Sequence, residues 1–177
     1  MLMADALRTS GSVLTLNRSS RKQQVRGFLS IYQGSKKVAA VDRKSGIVTA
    51  RWGTGLDFAN YPMALDEPSK RLFVVCRLPA RVLVFDTDSG RVVTTFNTVG
   101  DSDDAFYDSA RHRLYVIGGE GAIIVYDQLS PDRYSQIWRI TTAPGARTAL
   151  FVPGDRLFVA VPHRGQQKAE VRVYRLN

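Results

Sequence analysis

The chain has 177 residues, of which 44% are hydrophobic, and its formal net charge is +9 at pH 7. No apolar segment reaches the roughly 18 residues that a membrane-spanning helix needs, and the single cysteine, Cys76, excludes an internal disulfide. The first 50 residues hold nine Lys and Arg against Asp5 and Asp42, whereas the other 127 residues hold 16 basic and 14 acidic side chains. The positive charge therefore belongs to an N-terminal arm, and no nucleic-acid partner is expected for the rest of the chain.

Residues 1–25 are predicted to form a basic, poorly ordered arm, with one candidate strand at Ser12–Leu16. After this arm the apolar residues come in runs of four to six that are separated by Gly, Pro, Asp and Ser, which is typical of β-strands. Residues 26–53 are predicted to supply three strands of a partial unit. Residues 62–97 are predicted to form a complete unit, a four-stranded antiparallel meander joined by tight turns.

The next two units follow the same plan. Residues 104–140 are predicted to form four strands, with a loop over Gln128–Arg133 before the fourth, and residues 148–177 a partial unit of three strands. Apolar runs such as Leu72–Cys76 do not alternate with polar residues, so both faces of these strands are expected to be buried. Each sheet would then be packed between two neighbouring sheets.

One motif recurs through these units. It reads Arg71-Leu72-Phe73-Val74, Arg113-Leu114-Tyr115-Val116 and Arg156-Leu157-Phe158-Val159, at steps of 42 and 43 residues. A period of this length with short strands is typical of a propeller blade. The sequence therefore predicts an all-β fold, a β-propeller of four-stranded antiparallel blades that is incomplete at about 3.5–4 blades.

These repeats resemble the YVTN-type β-propeller repeat family. The matching segments are Arg71–Val74, Val82–Asp86 and Ser89–Val92, and the resemblance covers residues 27–176. It implies a scaffold whose members share architecture more than activity and are often exported. The resemblance implies about seven blades in a closed member, and propellers in general have about four to eight. It therefore implies that this chain is a truncated or altered C-terminal half of a propeller.

An incomplete propeller leaves one sheet face bare at each end. Four strands of about five residues present roughly 250 Å² of apolar surface. Leaving that surface in water forfeits about 6 kcal/mol per face, at ~25 cal/mol per Å². We therefore expect one of three outcomes: closure into a strained four-blade ring, pairing with a second copy, or a marginally folded and adhesive fragment.

The candidate site lies where the segments before the first strand of each blade approach the central channel, because binding groups usually sit on convergent loops of a rigid scaffold. The candidate ligand-binding residues at this channel mouth are Tyr61, Asp103, Asp104, Arg147 and His163. For the acidic run Asp101–Asp104, turn capping is the alternative interpretation. The run Gly118–Gly121 lies between two strands and is predicted to be a tight hairpin turn, since a phosphate-binding loop would precede a helix.

The predicted function is a non-enzymatic scaffold that binds a protein or a small polar ligand, with self-association through the terminal blades as a further interaction. The sequence contains no recognisable catalytic motif, and we expect no cofactor and no metal site. The alternative is a propeller enzyme, a lactone hydrolase or a quinone- or metal-dependent oxidoreductase, with its site at the channel mouth. A further alternative is nucleic-acid binding through the basic arm. Because the sequence as written has no signal peptide, a cytoplasmic location is expected, although the resemblance implies relatives that are often periplasmic or secreted.

Overall fold

The computed structural model describes residues 26–31, 36–42 and 44–176, and the predicted arm with its candidate strand lies outside them. The described residues form 14 β-strands in four antiparallel sheets. None of the described residues forms a helix long and apolar enough to cross a membrane. The prediction of an all-β fold built from antiparallel meanders is confirmed.

In every sheet, strands that follow one another in the chain are neighbours. Sheet 1 contains β1 (Arg26–Ile31), β2 (Lys37–Asp42) and β3 (Val48–Gly53). Sheet 2 contains β4 (Phe58–Asp66), β5 (Arg71–Leu78), β6 (Ala80–Asp86) and β7 (Val92–Asn97). Sheet 3 contains β8 (Ser102–Asp108), β9 (Arg113–Gly118), β10 (Ala122–Ser130) and β11 (Arg133–Thr141). Sheet 4 contains β12 (Thr148–Val152), β13 (Arg156–Val161) and β14 (Glu170–Arg175).

The described residues form a core of three apolar clusters, one between each pair of consecutive sheets. Between sheets 2 and 3, Phe73 stacks on Tyr107 with ring centroids 5.3 Å apart. Between sheets 3 and 4, the ring centroids of Tyr115 and Phe151 lie 5.8 Å apart. Strands β5, β6, β9 and β10 are buried on both faces because sheets 2 and 3 each have a neighbour on either side. This burial is what their unbroken apolar runs predict.

The turns that follow β2 and β6 are built in the same way. In sheet 2 the side chain of Asp86 accepts a hydrogen bond from the backbone N–H of Ser89 at 2.8 Å, and Asp42 makes the equivalent contact in sheet 1. Each turn then ends on a glycine with positive φ, Gly46 at 69° and Gly90 at 71°. Asp caps the turn and Gly supplies the left-handed backbone, so this local sequence is sufficient to reverse the chain.

The predicted loop over Gln128–Arg133 is wrong. Strand β10 continues to Ser130 and β11 begins at Arg133, so only two residues lie between the strands. Pairing continues because the side-chain amide of Gln128 donates hydrogen bonds to Asp66 Oδ2 at 2.9 Å and to the hydroxyl of Tyr134 at 3.2 Å. These contacts hold in place the polar stretch of residues 128–133, for which the sequence pattern predicts a loop.

Sheet 2 also begins earlier than its pattern indicates. Strand β4 starts at Phe58, whereas the sequence predicts a start at residue 62. The pairing of β4 with β5 shifts register between Asn60 and Met63. This bulge accommodates Pro62, which cannot donate to a regular ladder, so a residue that reads as a strand breaker lies inside the strand.

The outer face of sheet 4 is not covered by another described sheet. Its apolar side chains are exposed, at 62% for Leu150, 63% for Val171 and 50% for Val173. A closed ring would bury this face, so the described residues do not form the strained four-blade ring that was one of the three expected outcomes.

Candidate functional site

The end of the sheets at which β4, β8 and β12 begin carries the predicted site residues. In sheet 3 this end is marked by the pairing of Ser102 with Gly118, and in sheet 4 by the pairing of Thr148 with Ala160. The segments that enter β8 and β12 therefore meet the hairpin turns between the second and third strands. We call this side of the molecule the rim end.

Four charged side chains form an ion-pair network at the rim end, and together they are called the rim cluster: Arg77, Asp101, Asp103 and Arg147. Arg147 contacts both carboxylates. Its Nη1 lies 2.7 Å from Asp101 Oδ2, and its Nε lies 2.7 Å from Asp103 Oδ2. Arg77 donates a hydrogen bond to Asp103 and lies 3.4 Å from Asp101. Since Arg77 belongs to β5, the two carboxylates to the start of sheet 3, and Arg147 to the segment before β12, the cluster joins three consecutive sheets.

Pairing leaves the rim cluster close to neutral but still in contact with solvent. The hydrogen bond to Asp101, together with the charge of Asp103, raises the pKa of Arg147. The side chains remain partly exposed, from 21% for Arg77 to 40% for Arg147. Ion pairs in such positions stabilise a fold by only about 0–1 kcal/mol each. The cluster therefore forms a partly hydrated polar surface and contributes little to holding the sheets together.

Asp104 contacts sheet 4 instead of the rim cluster. Its Oδ2 accepts a hydrogen bond from the backbone N–H of Ala149 at 2.7 Å. Burial raises the pKa of Asp104, the hydrogen bond from Ala149 opposes that shift, and the charge of Asp103 adds to it. Asp104 is thus a half-buried carboxylate that links β8 to β12.

The glycine-rich turn at Gly118–Gly121 supports the rim cluster. The N–H of Gly119 donates to the carbonyl of Asp101 at 2.9 Å, and the N–H of Gly145 donates to the carbonyl of Gly119 at 2.7 Å. A Cβ on Gly119 would come 2.1 Å from Asp101 Oδ2, so a side chain at position 119 would displace this carboxylate from the turn. The turn closes through a 3.0 Å hydrogen bond from Gly121 to Gly118, which confirms the predicted tight hairpin.

The structure brings together two of the five predicted site residues, Asp103 and Arg147. Asp104 is adjacent in sequence but is engaged with Ala149. His163 is exposed in the loop that follows β13, at the same end of the molecule. Tyr61 lies within β4, and its side chain is outside the described residues.

Two members of the rim cluster were not predicted from the sequence, Arg77 and Asp101. Arg77 interrupts the apolar run of β5 near its end, which is the one sequence signal that could have revealed it. Asp101 belongs to the acidic run and has a positive φ of 52°. In place of the turn capping considered for this run, its carboxylate is paired with arginines.

Other chemically active side chains lie away from the rim cluster. Cys76 is fully buried in β5, and burial raises its pKa to about 12, as expected for a thiol that packs as a small apolar group. His112 is exposed, and its Nδ1 lies 3.3 Å from the hydroxyl of Tyr107. Within residues 26–31, 36–42 and 44–176, no three His, Cys, Asp or Glu side chains are grouped as a metal ion would require.

The sequence matches no family model and no curated protein. In structure the chain is similar to hydrazine synthase from Kuenenia stuttgartiensis, with a TM-score of 0.72 and 19% identity over 84% of this chain and 42% of that chain. It is also similar to Sqt1 from Saccharomyces cerevisiae (TM-score 0.60, 11% identity, 80% of this chain and 38% of that chain). A third similar structure is a chain of a mitotic checkpoint complex (TM-score 0.64, 13% identity, 80% and 43%). The chain spans about two fifths of the length of each of these proteins. At these identities the likenesses show the fold alone, an all-β assembly of antiparallel sheets that is propeller-like.

Proposed function

We propose that this chain is a β-propeller repeat scaffold that binds a protein partner at its rim end. The observation that carries the proposal is the rim cluster, in which four partly exposed charged side chains from three neighbouring sheets and the segments that enter them converge. Sheets packed on both faces form a rigid support, and loops on such a support are where binding residues concentrate. Two four-stranded and two three-stranded sheets, together with the repeated Arg-Leu-aromatic-Val motif, support membership of the YVTN-type repeats with about 3.5–4 blades.

A protein partner suits the rim cluster better than a small ligand does. Small-ligand sites are usually concave and present polar groups that are free to orient the ligand. Here the carboxylates of Asp101 and Asp103 are already bonded to arginines, and the adjoining loop from His163 to Gln166 is exposed. A mixed, hydrated surface of paired charges is typical of the polar rim of a protein–protein interface.

Affinity capture from extracts of the source cells, read out by quantitative mass spectrometry, tests the proposal. The informative variant is the double substitution Asp103→Ala with Arg147→Ala, which removes one acid and one base and leaves Arg77 and Asp101 to pair with each other. We expect the variant to capture several-fold less of the partner than the wild type does, because the substitutions remove charges that complement those of the partner.

The matched control is Lys70→Ala with Asp88→Ala. This pair, 2.6 Å apart, is more exposed and lies beside the turns at the opposite end of sheet 2. The control should capture the same proteins as the wild type. If the rim variant is folded by circular dichroism and captures every partner at the wild-type level, the rim end is not the binding surface.

A further inference from the structure

The exposed face of sheet 4 is a continuous apolar surface. The register places Leu150 beside Phe158 and Phe158 beside Val173, so these side chains form one row across the three strands. Ala160 and Val171 are paired in the next row. On the opposite face of the same strands, Leu157 and Val159 are buried against sheet 3. Sheet 4 is therefore apolar on both faces but covered on one.

The residues at the equivalent repeat positions in sheets 2 and 3 show that this face is normally buried against the next sheet. Val171 occupies the position of Val82 in sheet 2 and Ile123 in sheet 3, and both of these are 0% exposed. Val173 occupies the position of Val84 and Val125, which are also buried. At 63% and 50% exposure, Val171 and Val173 carry the side chains of a sheet–sheet contact without the second sheet.

The internal contacts also show what kind of surface covers this position. Phe73 in β5 packs on Tyr107 of the next sheet, and Tyr115 in β9 packs on Phe151 of the next sheet. Phe158 in β13 occupies the same position of the repeated motif as Phe73 and Tyr115. The surface that fits it is thus another sheet of the same repeat, presented by the face that sheets 2, 3 and 4 turn toward their predecessors.

Sheet 1 has such a face, and the described sheets leave it uncovered. Val38 and Ala40 of β2 are buried against sheet 2, so Ala39 and Val41 lie on the other face by alternation. By the repeat, Ala39 holds the position of Leu83 in sheet 2, which is among the residues packed toward the preceding sheet. The outer face of sheet 1 is therefore of the kind that receives the outer face of sheet 4.

We propose that two copies of this chain associate head to tail, with the outer face of sheet 4 of each copy packed on the outer face of sheet 1 of the other. The two contacts are related by a twofold axis and close a ring. With four described sheets per copy the ring has eight sheets, which is within the range of propellers. Two copies also approach the length of the similar structures, of which one copy spans 42%, 38% and 43%.

The area and the charges agree with such a ring. Three strands of about five residues measure roughly 14 by 17 Å, so the four faces of a closed ring bury on the order of 1,000 Å², the lower limit for a specific interface. Lys37 on β2 lies at the rim end, where it pairs with Gly53. Arg156 and Arg175 pair with each other at the opposite end of sheet 4, so packing the two faces in the same orientation as the internal sheets does not bring these like charges together.

Light scattering coupled to size-exclusion chromatography tests the proposal on the full chain. We expect the wild type to have twice the mass of one chain at micromolar concentration. Val171→Glu places a carboxylate in the buried contact and should weaken the association by roughly tenfold or more. Val93→Glu, at a valine that is 38% exposed on β7 of sheet 2, should leave the mass unchanged.

Ala39→Glu identifies the second face. It should also give a single-chain mass, and a mixture of Ala39→Glu with Val171→Glu should form a complex that neither variant forms alone, because the mixture retains one intact contact. A wild type with single-chain mass at every concentration overturns the proposal. So does an Ala39→Glu variant that still pairs, since the faces of sheet 4 would then be packed on each other. None of these substitutions touches the rim cluster, so this outcome is separate from the proposed function.

Discussion

Gly90 lies directly against the indole ring of Trp52, and a Cβ on Gly90 would come 2.1 Å from Trp52 Nε1. Trp52 belongs to β3 of sheet 1, whereas Gly90 ends the turn after β6 in sheet 2. The same indole stacks on Phe85 of sheet 2 with ring centroids 6.0 Å apart. Gly90 is thus required twice, by its positive φ and by the ring of the preceding sheet.

Replacing Gly90 with alanine is expected to destabilise the fold by about 2–5 kcal/mol. The left-handed backbone costs roughly 1–2 kcal/mol for any residue with a Cβ, and displacing the packed indole costs about 1–3 kcal/mol more. Gly46→Ala is the matched control, because Gly46 has the same φ but no atom within 4 Å of its added Cβ. Urea unfolding should show the smaller loss for Gly46→Ala, and equal losses would mean that Trp52 does not constrain residue 90.

The pair of Arg147 and Asp103 is expected to contribute little to stability. A double-mutant cycle with both alanine substitutions should give a coupling energy of about 0.2–1 kcal/mol, because the side chains are partly hydrated. The coupling should fall when the ionic strength rises to about 1 M, where the Debye length is near 3 Å. A coupling of several kcal/mol that salt does not change would show that the rim cluster is a structural bridge between sheets.

Cys76 is expected to resist thiol reagents while the protein is folded. The thiol is fully buried, and its pKa of about 12 leaves almost no thiolate at neutral pH. With an aromatic disulfide reagent under native conditions, the labelling rate should follow the opening of the fold, and in denaturant one thiol per chain should react at once. Rapid labelling of the native protein would contradict the burial of β5.

Asp104 is expected to make stability depend on pH in the opposite direction to a normal paired carboxylate. Its raised pKa means that the folded state binds this proton more tightly than the unfolded state does. The stability that the protonated Asp104 contributes is therefore fully present at pH values below the unfolded-state pKa near 3.8. It is lost as the pH rises through the pKa of the folded state.

Asp104→Asn removes that dependence and keeps an acceptor for the N–H of Ala149. At neutral pH the variant should be at least as stable as the wild type, and the advantage should shrink as the solution is acidified. Asp104→Ala, which leaves that N–H without its acceptor, should lose about 1–3 kcal/mol. Thermal unfolding across the acid range measures both, and an Asn variant that is less stable only at neutral pH would overturn this account.

The sequence is sufficient to predict the two complete sheets, because unbroken apolar runs such as that of β5 report burial on both faces. It does not predict the extension of β10, since that depends on Gln128 meeting Asp66 of another sheet, 62 residues away. Asp103 and Arg147 could be predicted because both precede or open a first strand. Arg77 could not, because its role depends on which carboxylates the next sheet brings to it.

Because the sheets are unequally covered, the end sheets should open locally more often than the middle sheets. Sheets 2 and 3 are held by two apolar clusters each, whereas sheets 1 and 4 each contribute to one. In such a nearest-neighbour array the backbone amides of the end sheets should exchange with deuterium before those of the middle sheets. That gradient would flatten once the ends acquire neighbours, so exchange rates report directly on whether the array stands open or closed.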